Sequence, residues 1–249
     1  MKDRPLACRL YVAEDLALGR PVELAQERHH YLRHVLRLAN EAELLVFNGR
    51  DGEWLARLRS EGRRGSALEP IEQKRSQTEQ GDLALLFAPL KQARLDYMVQ
   101  KAVEMGVSAL HPVLTRRTQV ARLNADRMRA NAIEAAEQCG ILSIPGIAPL
   151  APLPQALAGL EPGRLLIFCD EAAARGDPIA VLGALPKRPL AVLIGPEGGF
   201  AEDERRLLLA RKATARLSLG PRIMRADTAA VAALALVQAC LGDWVPRNS

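Results

Sequence analysis

Two segments of the chain carry the residue types and spacing that suit chemistry: Leu193-Ile-Gly-Pro-Glu-Gly-Gly-Phe200 and Leu219-Gly-Pro-Arg-Ile-Met-Arg-Ala-Asp-Thr228. Each is an apolar strand running into a Gly-Pro turn and then into charged residues that open a helix. Such a turn exposes backbone groups, and glycine lets a ligand approach closely. The two turns lie about one βα unit apart, a spacing that suits side-by-side placement at the ligand-binding edge of a parallel sheet. A bare structural turn has the same composition, so each segment alone is weak. The ordered pair points to an enzyme or cofactor binder.

Other chemistries are missing. No G-x-G-x-x-G, G-x-x-x-x-G-K-[ST] or G-x-S-x-G motif is present, which argues against a dinucleotide fold, a P-loop NTPase and an α/β-hydrolase. The histidines are His29, His30, His34 and His111. His30 and His34 share a helical face, but no Cys or acidic residue stands at matching spacing, so no metal site is expected. His29, His30, Arg33, His34 and Arg37 read as a cationic helix face suited to RNA, or as an ordinary solvated face. Cys8, Cys139, Cys169 and Cys240 form no C-x-x-C pair and read as buried free thiols of a reducing cytosol.

The elements that must hold these loops follow from periodicity. Residues 72–82 are polar and mark a linker. Before it lie short strands at Arg9–Val12, Glu43–Phe47, Glu53–Leu58 and Ser66–Ile71, with Asn48-Gly49 and Asp51-Gly52 signalling a hairpin, and one helix near Gln26–Leu38. This reads as a small β-barrel-like domain. After it, strands at 83–90, 107–114, 165–169, 190–194 and 215–219 alternate with helices near 95–103, 125–139, 202–212 and 228–241. Residues 147–162 read as a loop with a short helix. That alternation predicts an α/β fold with a parallel sheet covered on both faces. Gly106 and Gly140 are expected to end two of the helices. The boundaries expected are 1–74 for the barrel, 75–82 for the linker and 83–249 for the α/β domain.

Length and composition set the outer limits. The 249 residues are 49% hydrophobic, 25% charged and 4% aromatic, with net charge +5 and a pI near 9.3. This permits a core and an anionic partner, and it excludes a broad aromatic platform for bases. No signal peptide is expected, and the apolar run at Ala229–Leu241 reads as too short to span a membrane. The chain reads as cytoplasmic with no membrane partner.

In these segments the chain resembles the bacterial methyltransferases that modify N3 of a uridine in 16S ribosomal RNA, members of the knotted SPOUT superfamily. The resemblance runs nearly end to end, through Arg28–Arg37, Lys101–Val107, Glu137–Gly140, Ile194–Gly199 and Leu219–Arg225. One departure is Asp227, where the family commonly has Glu.

The resemblance implies a PUA-like RNA-binding barrel followed by a SPOUT domain with a deep trefoil knot. S-adenosylmethionine would lie in the knot loops, Leu193–Gly199 and Leu217–Thr228. The cofactor-binding set is Leu193, Ile194, Gly195, Pro196, Glu197, Gly198, Gly199, Leu217, Leu219, Gly220, Ile223, Met224, Arg225 and Thr228. Uracil N3 is an imide that must lose a proton, so a carboxylate or an assisting cation is expected. Glu197 and Asp227 are the candidate bases, with helix capping as the alternative role for each. Arg225 is the candidate cation for developing charge or phosphate, and Arg222 a second. RNA contacts are expected from His29, His30, Arg33, Arg37, Arg57, Arg59, Arg63, Arg64 and Arg222. Neutralising four to six phosphates would give a log–log salt slope of about −3 to −5. The partner is 16S rRNA or the small subunit, and the chain would dimerise through its last helix. A non-catalytic assembly factor, and a SPOUT enzyme acting on tRNA or ribose, are the other readings.

Overall fold

The computed structural model describes residues 8–60, 65–120 and 122–244. It divides into two compact units, Met1–Glu79 with Ala136–Ile144, and Gln80–Ala135 with Pro145–Ser249.

The first unit holds a five-stranded sheet, built from β1 (Arg9–Tyr11), β2 (Val22–Glu23), β3 (Glu43–Phe47), β4 (Glu53–Ser60) and β5 (Ser66–Arg75). Its strand order is β1-β3-β4-β5-β2, with β1 parallel to β3 and the other pairs antiparallel. The expected hairpin between β3 and β4 is present. β5 runs past Ile71 to Arg75, into the polar stretch read as linker, because Gln73 and Arg75 pair with Trp54 and Glu53 of β4. Alternating apolar residues fill one core of Leu10, Leu32, Leu44, Val46, Leu58 and Leu68.

The helix expected over Gln26–Leu38 is shorter. α1 (Gln26–His30) runs into a π-helical turn at Tyr31–Val35, and Arg37 already has φ +54°. At the start of β4, Glu53 is buried and accepts hydrogen bonds from Arg9 and from Arg75 Nε at 2.8 Å. Arg9 also donates to the carbonyls of Ala136 and Ile141, which lie in the same unit. Burial pushes the Glu53 carboxyl up, but hydrogen bonds from Arg75 and Arg9 outweigh it and hold its pKa below the usual value.

The second unit is α/β, as the alternation predicts. Its strands are β6 (Leu83–Phe87), β7 (Ala109–Leu114), β8 (Gly146–Ile147), β9 (Ala151–Pro152), β10 (Leu165–Cys169), β11 (Leu190–Ile194) and β12 (Thr214–Leu217). The order is β12-β10-β11-β6-β7-β8, with β9 also on β7, and every pair is parallel. The helices are α2 (Gln92–Glu104), α3 (Ala125–Cys139, whose residues from Ala136 on belong to the first unit), α4 (Leu153–Ala158), α5 (Pro178–Gly183), α6 (Glu202–Ala210) and α7 (Ala226–Cys240). The central strands are wholly buried, as a sheet covered on both faces requires. Gly106 and Gly140 follow α2 and α3 with positive φ, as expected of helix-ending glycines.

The register decides where a ligand can sit. Cys169 of β10 lies opposite Leu217 of β12, and Phe168 opposite Leu193 of β11. Strand ends 169, 194 and 217 therefore share one edge of the sheet. The two Gly-Pro turns do not follow neighbouring strands, because β10 lies between β11 and β12. No helix among the described residues is long and apolar enough to cross a membrane.

Candidate functional site

At that edge lies a cavity of about 380 Å³. Its walls come from three strand ends: Cys169 to Arg175 after β10, Ile194 to Phe200 after β11, and Ser218 to Met224 after β12. Ala226 and Ala229 of α7 close the side. The size falls within the range of about 300–1,000 Å³ typical of small-molecule sites.

The two loops named by the sequence meet here. Ile194, Gly195, Pro196, Glu197, Gly199, Leu219, Gly220, Ile223 and Met224 line the cavity, as does Arg222. Leu193 and Leu217 are buried in the sheet behind it. Gly198, Arg225, Asp227 and Thr228 lie outside the lining. Asp227 sits in the first turn of α7, where its Oδ1 accepts from Thr228 N at 2.9 Å. That is a local contact inside the first turn, where a carboxylate is favourable near the positive end of the helix dipole. Arg225 is the residue before α7 and is exposed.

Glu197 is held from both sides of its loop. Its carboxylate pairs with Arg94 of α2, and Arg117 Nη1 donates to the carbonyl of Gly198 at 2.6 Å. Behind the loop, α6 is fixed by the buried Glu204. Its Oε1 accepts from Arg116 N at 2.8 Å and its Oε2 from Ala201 N at 2.9 Å. The second of these satisfies an amide left free at a helix start.

The stretch after β10 lines the cavity with residues outside the set expected from the sequence. Asp170 is buried and accepts from Arg205 of α6 at Oδ1 and from Arg216 of β12 Nε at Oδ2, 2.5 Å away. Its Oδ1 also accepts from Ala172 N at 3.1 Å, and its carbonyl from Ala173 N at 3.0 Å, closing a tight turn. Glu171 occupies that turn and faces the Gly198-Gly199 backbone. A Cβ at Gly199 would stand 2.3 Å from Glu171 Oε1. The available signal was positional: Asp170 and Glu171 directly follow an apolar strand at the same sheet edge. Burial, helped by Asp170, raises the Cys169 thiol to about 12, so this cavity thiol is a poor nucleophile.

The residues expected at RNA divide in two. His30, His34 and Arg37 are exposed, with the His30 and His34 rings 5.0 Å apart. His29 touches His34 edge-on, with ring centroids 6.1 Å apart, but is not exposed with it. It is buried, and its Nδ1 lies 2.9 Å from Ser66 Oγ, because helical spacing puts it on the Leu32 face. Arg33 donates to the Leu38 carbonyl at 2.7 Å. Arg57 pairs with Glu43 at 3.0 Å and Arg59 with Glu69 at 2.7 Å, and both also reach Glu41. Arg63 and Arg64 lie outside the described residues. The thiols are unpaired, but Cys139 is exposed rather than buried, since it ends α3 on its outer side. Among the described residues no group of three or more His, Cys, Asp or Glu is placed to hold a metal ion.

Comparison with known proteins agrees with this architecture. Residues 77–238 match the RNA methyltransferase domain family, and residues 24–71 the RNA methyltransferase PUA domain family. The chain is 33% identical over 232 residues to ribosomal RNA small subunit methyltransferase E of Rickettsia conorii, covering 92% of this chain and 94% of that one. It is also 33% identical to the Synechocystis protein of the same name, covering 95% and 78%. The solved structure of the Neisseria gonorrhoeae ribosomal RNA small subunit methyltransferase E bound to S-adenosylmethionine superposes with a TM-score of 0.82 at 28% identity, over 94% of this chain and 98% of that one. A Legionella pneumophila methyltransferase in complex with the same cofactor gives 0.80 at 29%, over 95% and 98%. A PUA-like sheet unit joined to a parallel α/β unit, with matches over nearly the full length, identifies this chain as a member of the ribosomal RNA small subunit methyltransferase E family.

Proposed function

We propose that this chain transfers a methyl group from S-adenosylmethionine to N3 of a uridine in 16S ribosomal RNA. The observation that carries this reading is the cavity bounded by both Gly-Pro loops at one edge of the parallel sheet. Its lining fits the cofactor. Backbone of Ile194–Pro196 and Leu219–Pro221 can meet a nucleobase edge, Leu219 and Met224 supply apolar wall, and the charged lining residues are of both signs. When bound, the cofactor supplies an electrophilic methyl group.

The protein's own part is placement and charge. The Arg94 and Arg117 contacts fix the Glu197 loop, so that orientation is set before substrate arrives. The imide proton must leave before or during attack. Glu197 lines the cavity and Asp227 does not, so Glu197 is the better placed to take it once its pair with Arg94 opens. Arg225, exposed at the head of α7, stabilises the charge that develops on the uracil carbonyls or holds a phosphate. The imide lies in the pairing edge of the base, so the uridine must be unpaired or extruded to react.

In this reading residues 1–74 form a PUA-like RNA-binding domain, 75–82 a linker and 83–249 the methyltransferase domain, whose cofactor loops are threaded as a deep trefoil knot. RNA contacts come from His30, Arg33, Arg37, Arg57, Arg59, Arg63, Arg64 and Arg222. A homodimer forms through α7. Val231, Ala232, Ala235 and Leu236 leave a half-buried apolar stripe beside its buried face, and small side chains there allow close helix approach.

Mass spectrometry of 16S rRNA nucleosides tests the whole reading. A strain lacking the gene should lose 3-methyluridine, and the wild-type chain should restore it. Retention of 3-methyluridine in the deletion strain would refute the proposed target.

A further inference from the structure

The charged groups on the cavity wall are not equivalent. Asp170 is consumed by Arg205 and Arg216, and Glu197 by Arg94. Glu171 is the carboxylate of the cavity lining left with no ion pair or hydrogen bond among the described residues. The backbone that carries it is held in place. The turn at Asp170–Ala173 is closed by a backbone hydrogen bond, and its first side chain is anchored by two arginines. Opposite, the bare Cα of Gly199 is what lets Glu171 Oε1 lie against that loop, since a Cβ there would stand 2.3 Å from the oxygen. The fold thus holds a lone anionic oxygen against the Glu197 loop, on the wall of a cavity meant for a ligand that carries positive charge.

We infer that Glu171 is the counter-ion for the positive charge of the bound cofactor, its ammonium or its sulfonium. This rests on the S-adenosylmethionine reading and adds the residue that recognises the cofactor's charge. The geometry favours this over a structural role. An unpaired carboxylate gains nothing for folding, whereas a charge-assisted contact in a cavity is about twice as strong as a neutral one. Arg175 also lines the cavity without an ion pair among the described residues, so the lining can meet both charges of an amino-acid end.

Calorimetric titration of the full chain with S-adenosylmethionine and with S-adenosylhomocysteine tests this. Glu171→Gln keeps the side-chain volume beside Gly199 and removes the charge. It should weaken S-adenosylmethionine about tenfold or more while the melting temperature holds. Equal weakening of both ligands identifies the ammonium, and selective weakening of the first identifies the sulfonium. Glu171→Asp should recover part of the affinity, and added salt should weaken the wild type more than the Gln variant. Affinities of the Gln variant within about twofold of wild type for both ligands would overturn the inference. So would lost turnover at unchanged affinity, which would place Glu171 at the RNA instead. If the wild-type chain binds neither ligand, the cofactor reading itself falls.

Discussion

Gly195 lies with its bare Cα against the ring of Phe200: a Cβ there would stand 2.4 Å from Cε2. Phe200 in turn packs edge-on against Phe168 of β10, with ring centroids 5.1 Å apart. The Gly-Pro turn after β11 is therefore pressed onto the core that carries the middle wall of the cavity. A side chain at Gly195 would run into Phe200, so loop and core would be disturbed together.

Gly195→Val should accordingly cost folding stability as well as cofactor binding. Overpacking of this kind costs about 1–3 kcal/mol. Chemical denaturation and calorimetry on the same sample check it. Lost affinity with unchanged stability would show that the ring yields freely and that the Cβ acts in the cavity itself.

Asp170 ties the turn after β10 to α6 and β12, and removing its charge should loosen those ties. In Asp170→Asn the buried carboxylate no longer balances Arg205 and Arg216, whose side chains are 20% and 36% exposed. Breaking a fully buried pair costs about 3–5 kcal/mol, and the remaining solvation of the arginines brings this nearer about 2 kcal/mol. Denaturant midpoints would measure the loss. A variant as stable as wild type would mean that solvent already carries those guanidinium groups.

Much of the second unit is legible in the sequence because buried parallel strands are continuous apolar runs: 83–87, 165–169 and 190–194 stand out from their surroundings. The loops after β11 and β12 are legible because Gly-Pro punctuation is a local signal. Strand order is not local. Nothing near residues 194 or 219 reveals that β10 separates them, so Asp170 and Glu171 escape notice despite completing the cavity. The Arg94–Glu197 pair spans 103 residues and has no sequence signature. His29 leaves the exposed face for a different reason: it stands three residues before Leu32, and that spacing puts both on the buried side.

Acid should destabilise the fold through His111. Burial first, and the Arg164 guanidinium second, hold its pKa below the ordinary 6.5. In the unfolded chain the ring protonates near about 6.5. Between the two values the unfolded chain binds more protons, so stability is full above about pH 6.5 and declines as pH falls toward the folded pKa. His111→Gln should flatten that part of the stability–pH curve. An unchanged slope would assign the acid sensitivity to other groups.

Arg225 should matter to turnover and little to cofactor affinity, because it is exposed and stands outside the cavity lining. Arg225→Ala is expected to lower turnover about tenfold or more, as loss of a charge-stabilising group does. Methyl-transfer rates and calorimetry separate the two effects. Normal turnover would remove Arg225 from the reaction.

RNA binding should respond to the carboxylates of the first unit as much as to its arginines. Arg57 and Arg59 share Glu41, and each has a second acidic partner, Glu43 or Glu69. A cation already matched by a carboxylate displaces fewer counterions when it meets phosphate. The wild-type salt slope should therefore lie at the shallow end of the range, about −3. Glu41→Gln keeps the shape and releases both guanidinium groups from one shared anion. It should tighten RNA binding and steepen the slope by about one. Fluorescence anisotropy with a 16S rRNA fragment across a salt series measures both quantities. If affinity and slope stay at wild-type values, the β4 arginines do not face the RNA, and the contact must come from the His30, His34 and Arg37 side of the unit.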